Sequence, residues 1–192
     1  MLISRIAEDV ALLMGSPPPS IFSDETPFTS GFALLVALEV EECAARALSS
    51  LPRELWEDLK HIPSDSLSVL PSGEHRLPLP SDFLRLHSLR MSDWEMPVRS
   101  LYPSTHWLLP LQESNMKCVE GVPDRPLAFL DSDPDCGRIL RIFGSSPGAS
   151  LLNATYLAAP KINATGEISI PRAAYPETLR LLKSRIDGLS SG

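Results

Sequence analysis

Three aspartates, Asp131, Asp133 and Asp135, sit two residues apart and have the best spacing for chemistry in the chain. A calcium loop also opens with oxygen ligands at its first, third and fifth positions. It then needs glycine at position six and a bidentate glutamate at position twelve. Those places hold Cys136 and Ile142, with Gly137 one residue late. A solvated acidic turn explains Asp131 to Gly137 better. The four histidines, His61, His75, His87 and His106, have no metal-ligand spacing. They are expected at the surface or in caps, His87 on the solvent side of a strand. Gly144-Ser145-Ser146-Pro147-Gly148 resembles a phosphate loop only in composition. It lacks Gly-Lys-Ser/Thr, and Pro147 removes an N–H that a phosphate cradle uses. Glu41 and Glu42, or Glu57 and Asp58, are adjacent and diverge by about 100° on a helix, so neither pair forms a dyad. No Gly-x-Ser-x-Gly elbow occurs. Cys43, Cys118 and Cys136 are far apart and odd in number, the pattern of free thiols in a reducing compartment. Arg85, Arg90 and Arg99 lie near Trp94 and Tyr102, a mixture that can grip single strands. Asp82, Asp93 and Glu95 dilute that patch. The sequence therefore nominates no catalytic, cofactor-binding or metal-binding residue.

The elements that carry these residues follow from the prolines. There are 19 in 192 residues, roughly twice the usual share of about 5%. None occurs in 1–16, 28–51 or after Pro176, and fourteen fall between Pro63 and Pro176. Proline breaks helix interiors, so long helices belong near the two ends and the middle must be strands and turns. Leu2, Ile6, Val10 and Leu13 predict a first helix over 2–14, stopped by Gly15 and Pro17 to Pro19. Residues 15–28 read as an extended linker. A second helix is expected over 30–50, capped by Thr29 or Ser30. Its stripe is Phe32, Val36, Val40, Cys43 and Ala47, broadened by Leu34, Leu38, Ala45 and Leu48. A helix that apolar is expected to be packed on more than one side. A short third helix after Pro52 should point Leu55, Trp56 and Leu59 inward.

From Leu67 to about Pro160 the pattern predicts β-structure. Ser66–Leu70 and His75–Leu79 flank a Pro71-Ser72-Gly73-Glu74 hairpin turn. Leu84, Leu86 and Ser88 alternate with Arg85, His87 and Leu89, a half-buried strand. Further strands are expected at 127–130, 139–143 and 151–157, and a last helix over 174–187 with Tyr175, Leu179, Leu182 and Ile186 on one face. The fold class is therefore α+β. Helices from both ends pack as a small bundle, and a proline-rich antiparallel β-region is inserted between them. Residues 1–192 read as one domain: 1–28 helix and linker, 29–62 helices, 63–170 β-rich, 171–192 helix and tail.

Net charge is −7, which argues against a protein that mainly grips nucleic-acid backbone. Residues 1–60 hold ten acids and four bases, 61–170 twelve and nine, 171–192 two and four. Glu8 and Asp9 interrupt what would be a signal-peptide core. The longest apolar run, Phe32–Leu38, is far short of the ~20 residues of a membrane span. A soluble chain made in the cytoplasm is expected, with the sequons at Asn153 and Asn163 as chance matches.

One block is more distinctive than its chemistry. Leu79-Pro80-Ser81-Asp82-Phe83-Leu84-Arg85-Leu86, within Leu77–Pro97, is similar to the Leu-Pro-x-Asp-Phe-Leu-Arg-Leu region of tailed-phage head-to-tail adaptor (connector ring) proteins. The surrounding order resembles that family too. A long alanine-rich helix with acids, Phe32–Leu51, comes first. A Gly-x-Pro-x-x-Pro turn follows at Gly121, Pro123 and Pro126, then a Gly-Arg-x-Leu strand at Gly137–Phe143. A Tyr-x-x-x-Pro strand end at Tyr156–Pro160 and a C-terminal helix close the set. The resemblance covers residues 30–187. It implies a non-enzymatic virion part that forms a ring, commonly a dodecamer, between portal and tail. Its partners would be its own copies, the portal and tail proteins, with DNA only as passing cargo, no cofactor and no membrane. An acidic channel wall repels DNA and lets it slide. Two other readings stay open: an enzyme, hydrolase-like, with a site assembled from distant residues, and a small bacterial binding or scaffold module.

Three structural expectations follow. Phe32, Val36, Val40, Leu48, Leu179, Leu182 and Ile186 should be buried together. Phe83 and Trp94 should be buried at a helix–sheet junction, with Asp82 closing its turn by accepting backbone N–H groups. A ring needs unlike faces to meet. Glu39 and Glu42 on one side and Arg180 and Lys183 on the other are the candidate subunit interface, unless those charges simply solvate their helices.

Overall fold

The computed structural model describes residues 1–15, 27–114 and 121–190, with the backbone alone at 27–30 and 190. The expected linker over 15–28 falls mainly outside the described residues, as does Cys118. The helices are α1 (Ile3–Leu13), α2 (Pro27–Ser50), α3 (Leu108–Glu113) and α4 (Tyr175–Ser190). The strands are β1 (Lys60–His61), β2 (Ser68–Val69), β3 (His75–Pro78), β4 (Phe83–Met91), β5 (Tyr102–Pro103), β6 (Leu127–Asp133), β7 (Gly137–Phe143) and β8 (Leu151–Ala158). The fold is α+β, with helices from both ends and a mostly antiparallel β-region between them. Contacts divide it into two units: Met1–Glu57 with Ala159–Gly192, and Asp58–Ala158.

The helical unit packs α1, α2 and α4 around Ile6, Val10, Val36, Val40, Cys43, Leu182 and Ile186. Phe32, Tyr175 and Leu179 line its edge, half-buried. Leu48 is buried as expected but belongs to no part of this cluster. Residues 159–170, which the proline map groups with the β-region, join the helical unit. Ile162 and Ile168 pack into its core, and the Met1 amine donates to the Ile168 carbonyl at 2.9 Å. The helix starts at Pro27, a residue suited to a first turn. Thr29 and Ser30, expected to precede the helix, therefore fall within its span.

Two apolar faces differ from expectation. In α1 the buried arc is Ile6, Ala7, Val10 and Ala11, so Leu2 and Leu13 at the ends of the predicted row stay half-exposed. In α2 Val36, Val40, Cys43, Ala44 and Ala47 are buried, but Leu34 and Leu38 are 62% and 71% exposed. Helices α1 and α4 pack beside α2, and the Ile162 N–H donates to Glu41 at 2.7 Å, while Leu34 and Leu38 are left uncovered among the described residues. After Pro52 there is a single 3₁₀ turn, Arg53–Leu55. Trp56 is buried and donates to the Leu51 carbonyl at 3.2 Å, while Leu55 points outward.

The β-unit contains two sheets, ordered β1-β8-β4 and β2-β3-β7-β6-β5. All pairs are antiparallel except β5 with β6. The predicted hairpin is present, with Ser68 opposite Arg76 and Gly73 at φ +85° in its turn. Buried residues from both sheets form one core that includes Leu77, Phe83, Leu86, Leu89, Leu140, Ile142 and Tyr156. Strand β4 does not alternate as expected: Phe83, Leu86, Leu89 and Met91 are buried. The pairing of β4 with β8 shifts register three times, and each bulge rotates the following side chains. Leu89, assigned outward by strict alternation, is therefore fully buried. Pro110 is tolerated in the short α3 because it falls in the first turn.

Phe83 and Trp94 are both buried, within the sheet core and not at a helix–sheet junction. Phe83 stacks on Tyr156 at 5.5 Å, and the Trp94 indole donates to the Gly144 carbonyl at 2.9 Å. Asp82 lies beside a turn closed by the Phe83 N–H donating to the Pro80 carbonyl at 3.0 Å. Its carboxylate accepts from two side chains, Lys60 Nζ at 2.6 Å and the Tyr156 hydroxyl at 2.9 Å.

Candidate functional site

A cleft of about 630 Å³ opens on the β-unit. Glu74, Gln112, Glu113 and Arg141 line one part of it, and Gly144–Pro147 another. Strand pairing builds it. Glu74 ends the β2–β3 turn, and Arg141 lies on β7, which pairs with β3. Arg141 donates to Glu74 twice, from Nε at 2.9 Å and Nη2 at 2.6 Å. Its Nη2 also reaches Glu113 at 2.8 Å, and Nη1 lies 3.5 Å from Asp131. Arg76 Nε donates to Glu74 at 2.9 Å, and its Nη1 reaches Asp133 at 3.2 Å.

This network is nearly enclosed: the Glu74 and Arg141 side chains are 8% and 10% exposed. Burial opposes the charge on Glu74, but hydrogen bonds from Arg141 and Arg76 outweigh it and hold the carboxyl below its usual range. The Glu74 carboxylate in turn pushes the Arg141 guanidinium up. Glu74 and Arg141 are thus locked ionised, which suits a fixed charge mosaic better than proton transfer at neutral pH.

The opposite lip is built from turns. Burial opposes the charge on Asp93, but Ser145 and Ser146 outweigh it and hold its carboxyl low. Ser145 Oγ donates to Asp93 at 2.6 Å, and the Ser146 N–H at 2.7 Å. Gly144, at φ +88°, faces Gly121 so closely that a Cβ on it would lie 2.9 Å from the Val122 backbone. Gln112, buried, accepts from the Gly121 N–H at 2.8 Å.

The aspartate triplet separates. Asp131 and Asp133 end β6 and face the two arginines, and Asp133 accepts the N–H groups of Asp135 and Cys136 in the turn. Those backbone bonds hold the Asp133 carboxyl low. Among the described residues no group of three or more His, Cys, Asp or Glu is arranged to hold a metal. His61 is exposed, and His87 is half-buried against Thr155 at 3.2 Å. His106 accepts from the Leu108 N–H at 3.3 Å beside Tyr102 and Trp107. His75 departs from the surface expectation: it is fully buried on the core side of β3, opposite Ile142, with neither ring nitrogen hydrogen-bonded. Cys43 is buried and Cys136 exposed, both as free thiols.

The candidate interface residues all lie on the helical unit. Glu39 and Glu42 meet Arg185 of α4, at 3.0 and 3.2 Å. Arg180 pairs with Glu177 one turn earlier at 2.6 Å. Lys183 donates to the Leu13 carbonyl at 2.9 Å, at the C-terminal end of α1. The structure thus brings α2 acids to α4, but through Arg185, which the sequence reading passed over. Within one copy Glu39 and Glu42 meet Arg185, and the expected meeting with Arg180 and Lys183 is one between copies. Glu74 and Arg141 were also passed over, because they are 67 residues apart and match no motif. The available signal was a charge at the centre of an otherwise apolar stretch, Ile139-Leu140-Arg141-Ile142-Phe143. No helix among the described residues is long and apolar enough to cross a membrane. The sequence matches no protein-family model and no curated protein.

Proposed function

We propose that the protein is a structural, non-enzymatic component of a tailed phage or prophage virion, a ring subunit at the head–tail junction between portal and tail. The observation that carries this reading is the order of elements around the adaptor-like block. A long acidic helix, α2, is followed by the Pro80–Phe83 turn leading into β4. The tight Val122–Arg125 turn, β7 from Gly137 and β8 ending before Pro160 come next, and α4 closes the chain. Each quoted motif falls on the kind of element the resemblance expects. The locked ion pairs of the β-unit and the partly uncovered α2 fit a part that is assembled rather than one that turns over substrate. Net charge −7 suits a wall past which DNA slides without sticking.

The test is genetic and structural together. Phage particles lacking the protein should stop at filled or leaking heads without tails. The purified protein added to portal rings should form a second ring visible by electron microscopy, with twelve copies expected. Infectious tailed particles formed in its absence refute the reading.

A further inference from the structure

We propose that the β2–β3 hairpin is an acid-released element of the β-unit, and that His75 is its trigger. His75 is the first residue of β3, opposite Ile142, and its side chain is fully buried on the core side of the sheet. Among the described residues neither ring nitrogen has a hydrogen-bond partner. The charges around it are engaged elsewhere. Glu74 and Arg76 flank His75 and point to the other face, where they join Arg141, Asp131, Asp133 and Glu113. Strand β2, Ser68–Val69, carries no charge. Arg138, also on β7, is four residues from Ile142, about 13 Å along the strand. It donates to the Phe83 carbonyl at 2.9 Å. In the facing sheet Tyr156 donates to Asp82, which also holds Lys60, and His87 lies against Thr155. Each of these carboxylates already has a cation of its own.

A neutral imidazole tolerates an apolar core, whereas an imidazolium without a partner does not. Once the hairpin is released, His75 stands in water and takes a proton near pH 6.5. The closed sheet offers that proton no partner. The released form therefore binds one proton more, so stability of the closed form is full above pH 6.5 and falls below it. Release is local because the hairpin is the edge of its sheet: β2 pairs with β3, and β3 joins the rest through β7. Lifting it from β7 draws Glu74 away from Arg141, so a trigger on the core face opens the cleft on the other. Glu74 does not supply this step, because its carboxyl is held below the usual range and stays charged while His75 titrates.

Hydrogen exchange of the full chain between pH 7.5 and 5.0, corrected for the intrinsic rate at each pH, tests the proposal. Protection of the β3 amides should fall about tenfold per pH unit below 6.5, while β4 and β8 keep theirs. His75→Phe and His75→Leu should each remove that slope. His87→Gln and His106→Gln, at the two half-buried imidazoles, should leave it unchanged. Ring resonances of the wild-type chain give a reading that needs no variant: His75 should stay neutral in the closed form throughout the interval. Flat protection in the wild type overturns the proposal, as does an unchanged slope in either folded His75 variant. Loss of the slope in a control variant, or a protonated His75 in the closed form, does the same. Exposure of β4 and β8 at the same pH as β3 would replace hairpin release by unfolding of the whole unit and overturn it too.

Discussion

Replacing Arg141 by Met tests whether the cleft network is buried electrostatics or a solvated rim. Arg141 holds Glu74 by two hydrogen bonds, at 2.9 and 2.6 Å, in a site where both side chains are a tenth exposed or less. Removing one partner of a buried pair costs about 3–5 kcal/mol because the other charge is stranded. Arg76 still touches Glu74 at 2.9 Å, so the lower end, about 3 kcal/mol, is expected. The lost Glu113 contact adds little, because Glu113 is half-exposed and such pairs are worth at most about 1 kcal/mol. Replacing both partners, Arg141→Met with Glu74→Leu, should return stability to within about 1 kcal/mol of wild type, since an apolar pair bears no desolvation cost. Urea unfolding, read by hydrogen exchange of β7 amides, isolates the β-unit from the helical unit. The pH dependence supplies a second check. The folded state holds Glu74 below its ordinary value of 4.5, so its contribution is full above that value and is lost as pH falls through the lowered one. The acid limb of stability should therefore be shallower in Arg141→Met. A loss under 1 kcal/mol, matched by an equal loss in the double variant, refutes the buried-network argument.

Leu182→Ala should destabilise the helical unit by about 2–5 kcal/mol, because the side chain is fully buried between helices. Leu38→Ala in the isolated chain should change it by under about 0.5 kcal/mol, and thermal unfolding of both variants decides the contrast. Gly144→Ala should cost roughly 1–3 kcal/mol, from φ +88° and a Cβ forced against the Val122 backbone. Gly137→Asn, at φ +74° with open space around it, should be nearly neutral in the same denaturation assay. Burial and Asp82 together push the Tyr156 hydroxyl up to about 12. In Asp82→Asn an ultraviolet titration should show that value falling part of the way towards 10 and no further, since the burial remains.

The terminal helices were legible because proline is excluded from helix interiors, so its absence marks where helices can run. Strands β6, β7 and β8 were legible because their apolar runs sit between turn residues. The inward face of β4 was not, because bulges are set by its partner strand and leave no mark in local alternation. Burial of His75 escaped for a related reason. Its neighbours Glu74 and Arg76 are polar, and only pairing with β7 reveals that residue 75 faces the core. Phe83 and Trp94 were read as buried but placed in the wrong surroundings, since a single sequence shows that an aromatic is hidden and not what hides it. Leu34 and Leu38 were read as inward because composition records how apolar a helix is. It does not record how many neighbours the helix will find.

The division of the helical unit between the two parts of the chain sets an order of events during synthesis. Helices α1 and α2 leave the ribosome first, yet α4 begins at Tyr175, roughly 125 residues after α2 ends at Ser50. At about 5–20 residues per second, α2 waits for roughly 6–25 s with Val36 and Val40 lacking their α4 cover. The β-unit is continuous in sequence and is complete before that wait ends. Nascent chains should therefore acquire protease-resistant sheet before resistant helix. For those seconds the unpaired α2 is the segment most in need of a chaperone, or of α2 from another copy still being made.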